Sequence, residues 1–218
     1  QGMFPSELER AGDIWFGETG QPFYETPQIG NWGFATLLHE IGHTLGLKHG
    51  HQDYTGDDLS SDLGVAAPRY GTPALPLQND GQNWSLMTYR SDPSDQDVSF
   101  QGDAANQPQS YMQLDIAALQ YLYGADYGTR SGDTTYKWSS KTGELFIDGV
   151  GQGAPTENKI YMTIWDGNGT DTYDFSDYKD GLYLDLRPGN FSLMSNMQLV
   201  NNQPLSSKAV WAAGNVAN

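Results

Sequence analysis

The sequence predicts an α+β protein with two parts, a mixed region up to about residue 125 and an all-β region after it. Two stretches with helical spacing lie before residue 125. After Gly124 the sequence pattern changes to short strand-like runs separated by Gly, Asp and Asn. The change places a domain boundary near residues 125–130, dividing the chain into 1–125 and 126–218.

The first helix is predicted from about Phe34 to Leu45. Gly46 follows it, and glycine readily adopts the left-handed conformation that ends many helices. The second helix lies within SYMQLDIAALQYLYG, where Ser110 is the expected N-cap and Gly124 the end. Its apolar face is expected to carry Met112, Ile116, Leu119 and Tyr123.

The strand-like runs of the second part are rich in β-branched and aromatic residues. They are TTYKW, ELFIDG, KIYMTIW, TYDF and LYLDL, at residues 134–138, 144–149, 159–165, 172–175 and 182–186.

Composition limits the classes of function. The formal net charge of −16 argues against a nucleic-acid partner and against an anionic membrane surface. No apolar run approaches the length of a membrane span. The chain has no cysteine, so a metal site must use His, Asp, Glu or Tyr. The acidic run 53–62 is expected to be a solvated loop, with a calcium site as the less favoured interpretation.

All four histidines lie within HEIGHTLGLKHGH, residues 39–51. His39 and His43 share one face of the predicted helix because they are four residues apart. A sharp turn at Gly46 brings His49 back beside them, completing the pattern H-E-x-x-H-x-x-G-x-x-H. Three imidazoles leave the fourth zinc position open for water, which is the arrangement of catalytic zinc sites.

Glu40 follows the first histidine and is predicted to be the general base that activates this water. His51 lies outside the register of the motif. We expect it to be an exposed turn residue, and the alternative is a supporting or substrate-binding role. A chance cluster of histidines at a helix end is the competing interpretation of the motif, and the complete pattern disfavours it.

The extended motif resembles that of the metzincin zinc endopeptidases. WSLMTYR, residues 84–90, is similar to their methionine turn, which implies that Met87 forms an apolar floor under the histidines. The resemblance also implies that Tyr89 is a zinc ligand that swings away and then stabilises the oxyanion. The alternative for Met87 is an ordinary core methionine, and the alternative for Tyr89 is an aromatic packing residue.

Downstream, LDIAALQYLYGAD, SGDTTYKW and TIWDGNGTDTYDFS resemble the serralysins of peptidase family M10. The resemblance runs from about Gly2 to Gly189. It implies a metzincin catalytic domain that lacks its N-terminal part, followed by the beginning of an RTX-type calcium-binding β-roll. Serralysins are calcium-dependent proteases secreted by Gram-negative bacteria, so the resemblance implies an extracellular location.

DGNGTDTYD, residues 166–174, fits one copy of the calcium-binding glycine-aspartate repeat. The resemblance implies calcium ligation by Arg130, Gly132, Thr134, Asp166, Asn168 and Asp171, with Gly169 and Asp171 beginning a second site. Asn168 replaces the glycine usual in the family. An ordinary Asp-Gly turn is the alternative.

Taken together, the sequence predicts a secreted zinc endopeptidase, stabilised by calcium, that acts on proteins and peptides. Only 38 residues precede His39, and KAVWAAGNVAN at the end resembles the approach to further calcium repeats. We therefore expect an internal fragment whose partner could be a complementary N-terminal fragment of the same protease. The alternatives are a catalytically silent calcium-binding surface or adhesion module, and a hydrolase of non-peptide amides.

Overall fold

The structure is a computed structural model that describes residues 11–16, 25–50, 75–90 and 104–200. It is mixed α and β with one small sheet. In chain order the helices and strands are α1 (Trp32–Thr44), α2 (Gln113–Tyr123), β1 (Thr135–Trp138), β2 (Leu145–Ile147), β3 (Val150–Gly151) and β4 (Thr172–Asp174). Short 3₁₀ turns occur at Leu77–Asn79 and Asn196–Gln198.

Helix α1 begins two residues before its predicted start because Asn31 caps it. The Asn31 carboxamide oxygen accepts a hydrogen bond from the backbone N–H of Phe34 at 2.9 Å. The helix ends before Gly46, whose φ of 92° is in the left-handed region, as predicted. The buried side of α1 includes His39 and His43, so packing and the candidate site use the same face.

Helix α2 begins later than predicted, with Met112 rather than Ser110 as the N-cap. The Ser110 hydroxyl instead accepts a hydrogen bond from the backbone N–H of Thr163 at 2.8 Å. The side chain that satisfies the helix start is Asp115, which accepts from the Met112 N–H at 2.9 Å. Tyr123 was expected on the buried face but is 63% exposed, since its hydroxyl reaches outward to the Leu45 carbonyl.

The four strands form one sheet in the order β3-β2-β1-β4. Strand β1 pairs antiparallel with β2 and parallel with β4, so that Tyr136 lies opposite both Ile147 and Tyr173. Three of the five strand-like runs therefore form strands of the sheet.

The other two predicted strands were wrong. Among the described residues, 182–186 form a single bridge, between Tyr183 and Leu193. Residues 159–165 run beside 107–110, where the Gln109 N–H donates to the Tyr161 carbonyl at 2.8 Å. The Tyr161 N–H, however, donates to the Gln109 side chain at 3.2 Å. No strand forms here because side chains replace backbone partners in the ladder.

One buried cluster connects α2 to the sheet. Met112 at the start of α2 packs with Tyr136 and Trp138 of β1 and with the extended run around Ile160. Hydrogen bonds hold α2 next to the loop 80–90, which carries the predicted methionine turn: the Leu114 N–H donates to the Trp84 carbonyl at 2.9 Å, and the Leu86 N–H donates to the Asp115 carboxylate at 2.7 Å. No helix in the described part of the chain has the length and apolarity that crossing a bilayer requires.

Candidate metal centre

The structure brings the three motif histidines together. Helix α1 presents His39 and His43 one turn apart, and the turn at Gly46 returns the chain so that His49 faces both. The His49 Nε2 atom lies 3.0 Å from Nε2 of His39 and 3.0 Å from Nε2 of His43. Within the described residues, the three histidines form a group that could hold a metal ion, because their ligand atoms all lie within 4.8 Å of one another.

Backbone carbonyls orient two of the rings. His39 Nδ1 lies 3.0 Å from the Leu86 carbonyl oxygen, and His43 Nδ1 lies 2.9 Å from that of Leu47. A carbonyl only accepts, so each Nδ1 carries the proton and each Nε2 presents a lone pair inward. Such second contacts are typical of histidines that bind metal through Nε2.

The spacing of the nitrogen atoms fits a small cation. The His49 Nε2 atom can carry at most one hydrogen, so it cannot satisfy both neighbouring lone pairs at 3.0 Å, whereas a cation between the three nitrogen atoms can. Tetrahedral zinc, with Zn–N bonds of about 2.0–2.1 Å, would hold nitrogen ligands ~3.3 Å apart. The donor set, three imidazoles, is also one that zinc accepts in catalytic sites. These residues therefore fit zinc.

The charge state of His43 favours metal binding near neutral pH. Burial lowers its pKa, against the opposing effects of the hydrogen bond to Leu47 and the negative charge of Glu40. The ring is therefore neutral at pH 7, which is the form that binds a metal. Glu40 lies half-buried on α1, between His39 and His43 in sequence, and its charge acts at the histidine cluster.

Met87 lies against the helix that carries the histidines and is 1% exposed. A Cβ atom added at Gly42 would lie 2.6 Å from the Met87 sulfur, so Gly42 provides the space for the thioether. Tyr89 also reaches the cluster. Its ring centroid is 4.6 Å from that of His49 and 5.8 Å from that of His39.

Asp115 anchors the methionine turn, and sequence reasoning missed it. Its carboxylate accepts from the Ser85 hydroxyl at 2.6 Å and from the Leu86 N–H at 2.7 Å. The Leu86 carbonyl oxygen in turn accepts from the Nδ1–H of His39, so Asp115 supports the His39 ring through Leu86. Burial raises the pKa of Asp115 to about 6, although these hydrogen bonds oppose the shift. The signal in the sequence was an acid in the first turn of α2.

The second candidate site lies in the C-terminal region, around Asp166. This side chain is buried, and its carboxylate accepts from the Tyr136 hydroxyl at 2.5 Å and from the Asn168 N–H at 3.1 Å. Asp171 accepts from the Thr134 N–H at 3.0 Å. The segments 130–134 and 166–171 therefore lie side by side, as a shared site requires.

Glycine allows the closest approach of these two segments. Gly169 has a φ of 112°, and a Cβ atom there would collide with the backbone carbonyl oxygen of Gly132. That carbonyl also accepts from the Thr134 hydroxyl at 3.1 Å. The left-handed residue of this turn is Gly169, whereas Asn168 is not among the described residues with positive φ. The Asn168 carboxamide accepts from the Gly169 N–H at 2.9 Å.

Arg130 adopts a φ of 48°, an unusual conformation for a residue other than glycine. Its guanidinium donates to the Trp165 carbonyl at 2.9 Å and lies 5.8 Å from the Tyr136 ring centroid. The residue thus connects the segment 130–134 to the residue immediately before Asp166.

Comparison with known proteins identifies the relatives of this chain. The family model described as Peptidase M10 serralysin C terminal matches residues 125–210. Serralysin of Proteus mirabilis is 34% identical over 209 residues, which cover 94% of this chain and 39% of the relative. The chain is a serralysin homologue. The resemblance predicted from the motifs is confirmed.

Two further relatives agree. Metallopeptidase AprA of Pseudomonas marginalis is 35% identical over 195 residues, covering 88% of this chain and 38% of the relative. Serralysin G of Dickeya chrysanthemi is 36% identical over 191 residues, covering 88% of this chain and 36% of the relative. This serralysin homologue thus spans less than half the length of the curated relatives that it matches.

Several predictions fall outside the described residues. They concern His51, the acidic run 53–62, the segment GMFP and the final run KAVWAAGNVAN. They stay predictions.

Proposed function

We propose that this chain carries the catalytic zinc centre of a secreted, serralysin-type endopeptidase that hydrolyses peptide bonds in proteins. The supporting observation is the convergence of three Nε2 atoms, two of which belong to rings whose protons are held at Nδ1 by carbonyls. The names of the relatives, serralysin and metallopeptidase, point to the same chemistry. Because the chain spans only part of their length, the activity of the complete protein belongs to the proposal.

His39, His43 and His49 would hold the zinc ion. When bound, zinc acts as a Lewis acid that lowers the pKa of a water molecule and polarises the peptide carbonyl. Glu40 takes a proton from the attacking water and later gives it to the leaving amine. One C–O bond forms and the C–N bond breaks, so the peptide is divided into an acid and an amine.

Tyr89 has two roles in the proposal. Its ring lies beside His49 and His39, so its phenol would be a further ligand of the metal before substrate binds. During hydrolysis, the hydroxyl donates a hydrogen bond to the carbonyl oxygen as that atom gains negative charge. Met87 and Gly46 are structural, one packing under the helix and the other reversing the chain toward His49.

Calcium stabilises the C-terminal region and takes no part in the chemistry. We assign its ligands to the segments 130–134 and 166–171, that is, to Arg130, Gly132, Thr134, Asp166, Asn168, Gly169 and Asp171. Carboxylate and carbonyl oxygens are the donors that calcium prefers. The family match over residues 125–210, described as the C-terminal region of serralysins, supports a β-roll part of the chain after residue 125, and we assign the histidine site to a metzincin domain before it.

The decisive experiment combines elemental analysis with casein cleavage. We expect about one zinc ion per chain and cleavage that stops when a zinc chelator is added. Zinc binding without cleavage would reject the peptidase proposal for this polypeptide and favour the silent calcium-binding module. Cleavage that survives complete zinc removal would reject the metal mechanism.

Replacement of Glu40 tests its role as general base. Glu40→Gln removes the proton acceptor and leaves the three histidines, so zinc should stay bound while kcat/KM falls by about 10³-fold. Glu25→Gln is a matched control, because Glu25 is exposed and precedes α1 in the same segment. If Glu40→Gln retained the turnover of the control, Glu40 would not be the base.

A further inference from the structure

The loop 80–90 is anchored on both sides of Tyr89 by a single carboxylate. The Thr88 hydroxyl donates to one oxygen of Asp80. The Arg90 Nε–H donates to the other oxygen at 2.7 Å. Asp80 therefore holds the residue immediately before Tyr89 and the residue immediately after it.

This anchor is buried. Thr88 is 0% exposed, and the side chains of Asp80 and Arg90 are 5% and 16% exposed. Ion pairs shielded from water are rigid, and removing one partner leaves a charge without compensation. Each contact uses a different oxygen of the Asp80 carboxylate. An asparagine at this position could not make both, since a carboxamide has only one acceptor oxygen.

Backbone hydrogen bonds extend the anchor. The Arg90 N–H donates to the Thr88 hydroxyl at 3.3 Å, and the Gln82 N–H donates to the Arg90 carbonyl at 2.9 Å. The backbone is thus held on each side of Tyr89, and its ring is directed to His49 and His39.

We propose that Asp80 is the positioning residue for Tyr89, holding the phenol at the histidine cluster through Thr88 and Arg90. The inference rests on the proposed role of Tyr89 in hydrolysis. The competing explanation is that Asp80 only stabilises the loop. In that case its replacement lowers the melting temperature but leaves kcat of the folded protein unchanged.

A double-mutant cycle separates these explanations. The zinc-loaded chain is compared with Asp80→Asn, Tyr89→Phe and the double variant, measuring kcat and KM for one peptide. Asp80→Asn should lower kcat roughly tenfold with little change in KM, because a displaced catalytic group costs rate. In the Tyr89→Phe background the same change should have almost no effect on kcat, since no phenol remains to be positioned.

The outcomes distinguish this inference from the proposed function. If the two losses multiply in the double variant, or if Asp80→Asn alone leaves kcat unchanged, Asp80 does not act through Tyr89. If Tyr89→Phe alone leaves kcat unchanged, the catalytic role of Tyr89 is rejected, and the positioning role falls with it.

A spectroscopic measurement tests the position of the phenol without turnover. Copper(II) at the histidine site should give a visible charge-transfer band if the Tyr89 phenolate contacts the metal. The band should disappear in Tyr89→Phe and weaken in Asp80→Asn. An unchanged band in Asp80→Asn, or no band in the unsubstituted chain, would overturn the inference.

A second pair of variants covers the case in which Asp80→Asn does not fold. Thr88→Val removes the hydroxyl that Asp80 accepts from, whereas Thr88→Ser keeps it. Thr88→Val should reproduce the loss in kcat, and Thr88→Ser should restore most of it. Equal kcat values for the two variants would reject the positioning role.

Discussion

The two candidate metal sites are built in opposite ways. The candidate zinc ligands come from one short stretch of chain, where His39 and His43 are on one helix and His49 follows after a glycine turn. The candidate calcium ligands come from separate segments, and the contact that joins Asp171 to Thr134 spans 37 positions in the sequence.

The donor groups of the two sites also differ in their hydrogen-bond partners. In the zinc region, backbone carbonyls hold the protons of two rings outward, so the Nε2 atoms face one another before any metal binds. In the C-terminal region, the carboxylates of Asp166 and Asp171 accept hydrogen bonds from Tyr136 and Thr134. The three histidines are already close together in the chain, whereas the candidate calcium ligands lie on two segments that only tertiary packing brings side by side, so calcium should contribute more to folding there than zinc does at the histidines.

Removal of zinc and removal of calcium should have different effects, and this is the largest difference that we expect between the two regions. A chelator selective for zinc should abolish cleavage with only a small change in melting temperature. A chelator selective for calcium should lower the melting temperature and speed hydrogen exchange in residues 130–174, because the closed arrangement of the two segments loses its ion. Loss of calcium that leaves the thermal transition unchanged would contradict a structural role for the ion.

Among the glycines whose surroundings the structure describes, Gly169 should be the one where alanine is most damaging. The new Cβ meets the backbone oxygen of Gly132, and the φ of 112° is strained for alanine. We expect the free energy of unfolding to fall by ~3 kcal/mol, measured by urea denaturation. Gly181→Ala is the control, because no atom lies within 4 Å of a Cβ there. Equal stability of the two variants would mean that the close approach of the segments is not required.

The buried Asp115 should give the zinc region a characteristic pH dependence. Its folded pKa of about 6 lies above the ordinary value of 3.8, so between these pH values the folded state holds a proton that the unfolded state has lost. The stability contributed by Asp115 is therefore complete below pH ~4 and falls by ~3 kcal/mol as the pH rises through about 6.

The measurement compares zinc-free Asp115→Asn with the zinc-free parent chain from pH 4 to 7. The free energy of unfolding of the parent, minus that of the variant, should decrease with rising pH. The subtraction cancels the titration of the other acids and of the histidines. A difference that stays flat or increases would contradict the raised pKa.

Of these changes, Gly42→Ala should have the smallest effect on stability, because the new Cβ would meet the flexible end of the Met87 side chain rather than backbone. The higher helix propensity of alanine, worth ~1 kcal/mol, offsets part of the displacement of the thioether. We expect a net loss of ~1 kcal/mol in thermal unfolding and weaker zinc binding in a competition titration. In a Met87→Ala background the substitution should become neutral or stabilising, and an unchanged loss there would exclude Met87 as the cause.

Much of the fold follows from local pattern. Helix α1, its end at Gly46 and strands β1, β2 and β4 lie where spacing and residue type predict them. The start of α2 and the run 159–165 do not, because Ser110 and Gln109 are engaged by residues about fifty positions away. Propensity describes neighbours in sequence and has no access to such partners.

The sequence by itself determined the chemistry available to this protein. Histidines at spacings of four and six, an adjacent glutamate and a glycine turn define a possible zinc site, since helix geometry is the same in any context. Only the tertiary structure decided which atoms face the site, through Leu86 on His39, Asp115 on the methionine turn and Asp80 around Tyr89. The first two contacts join residues 47 and 29 positions apart, and the Asp80 contacts close a loop with no regular repeat, so all of them are determined by packing rather than by helical spacing.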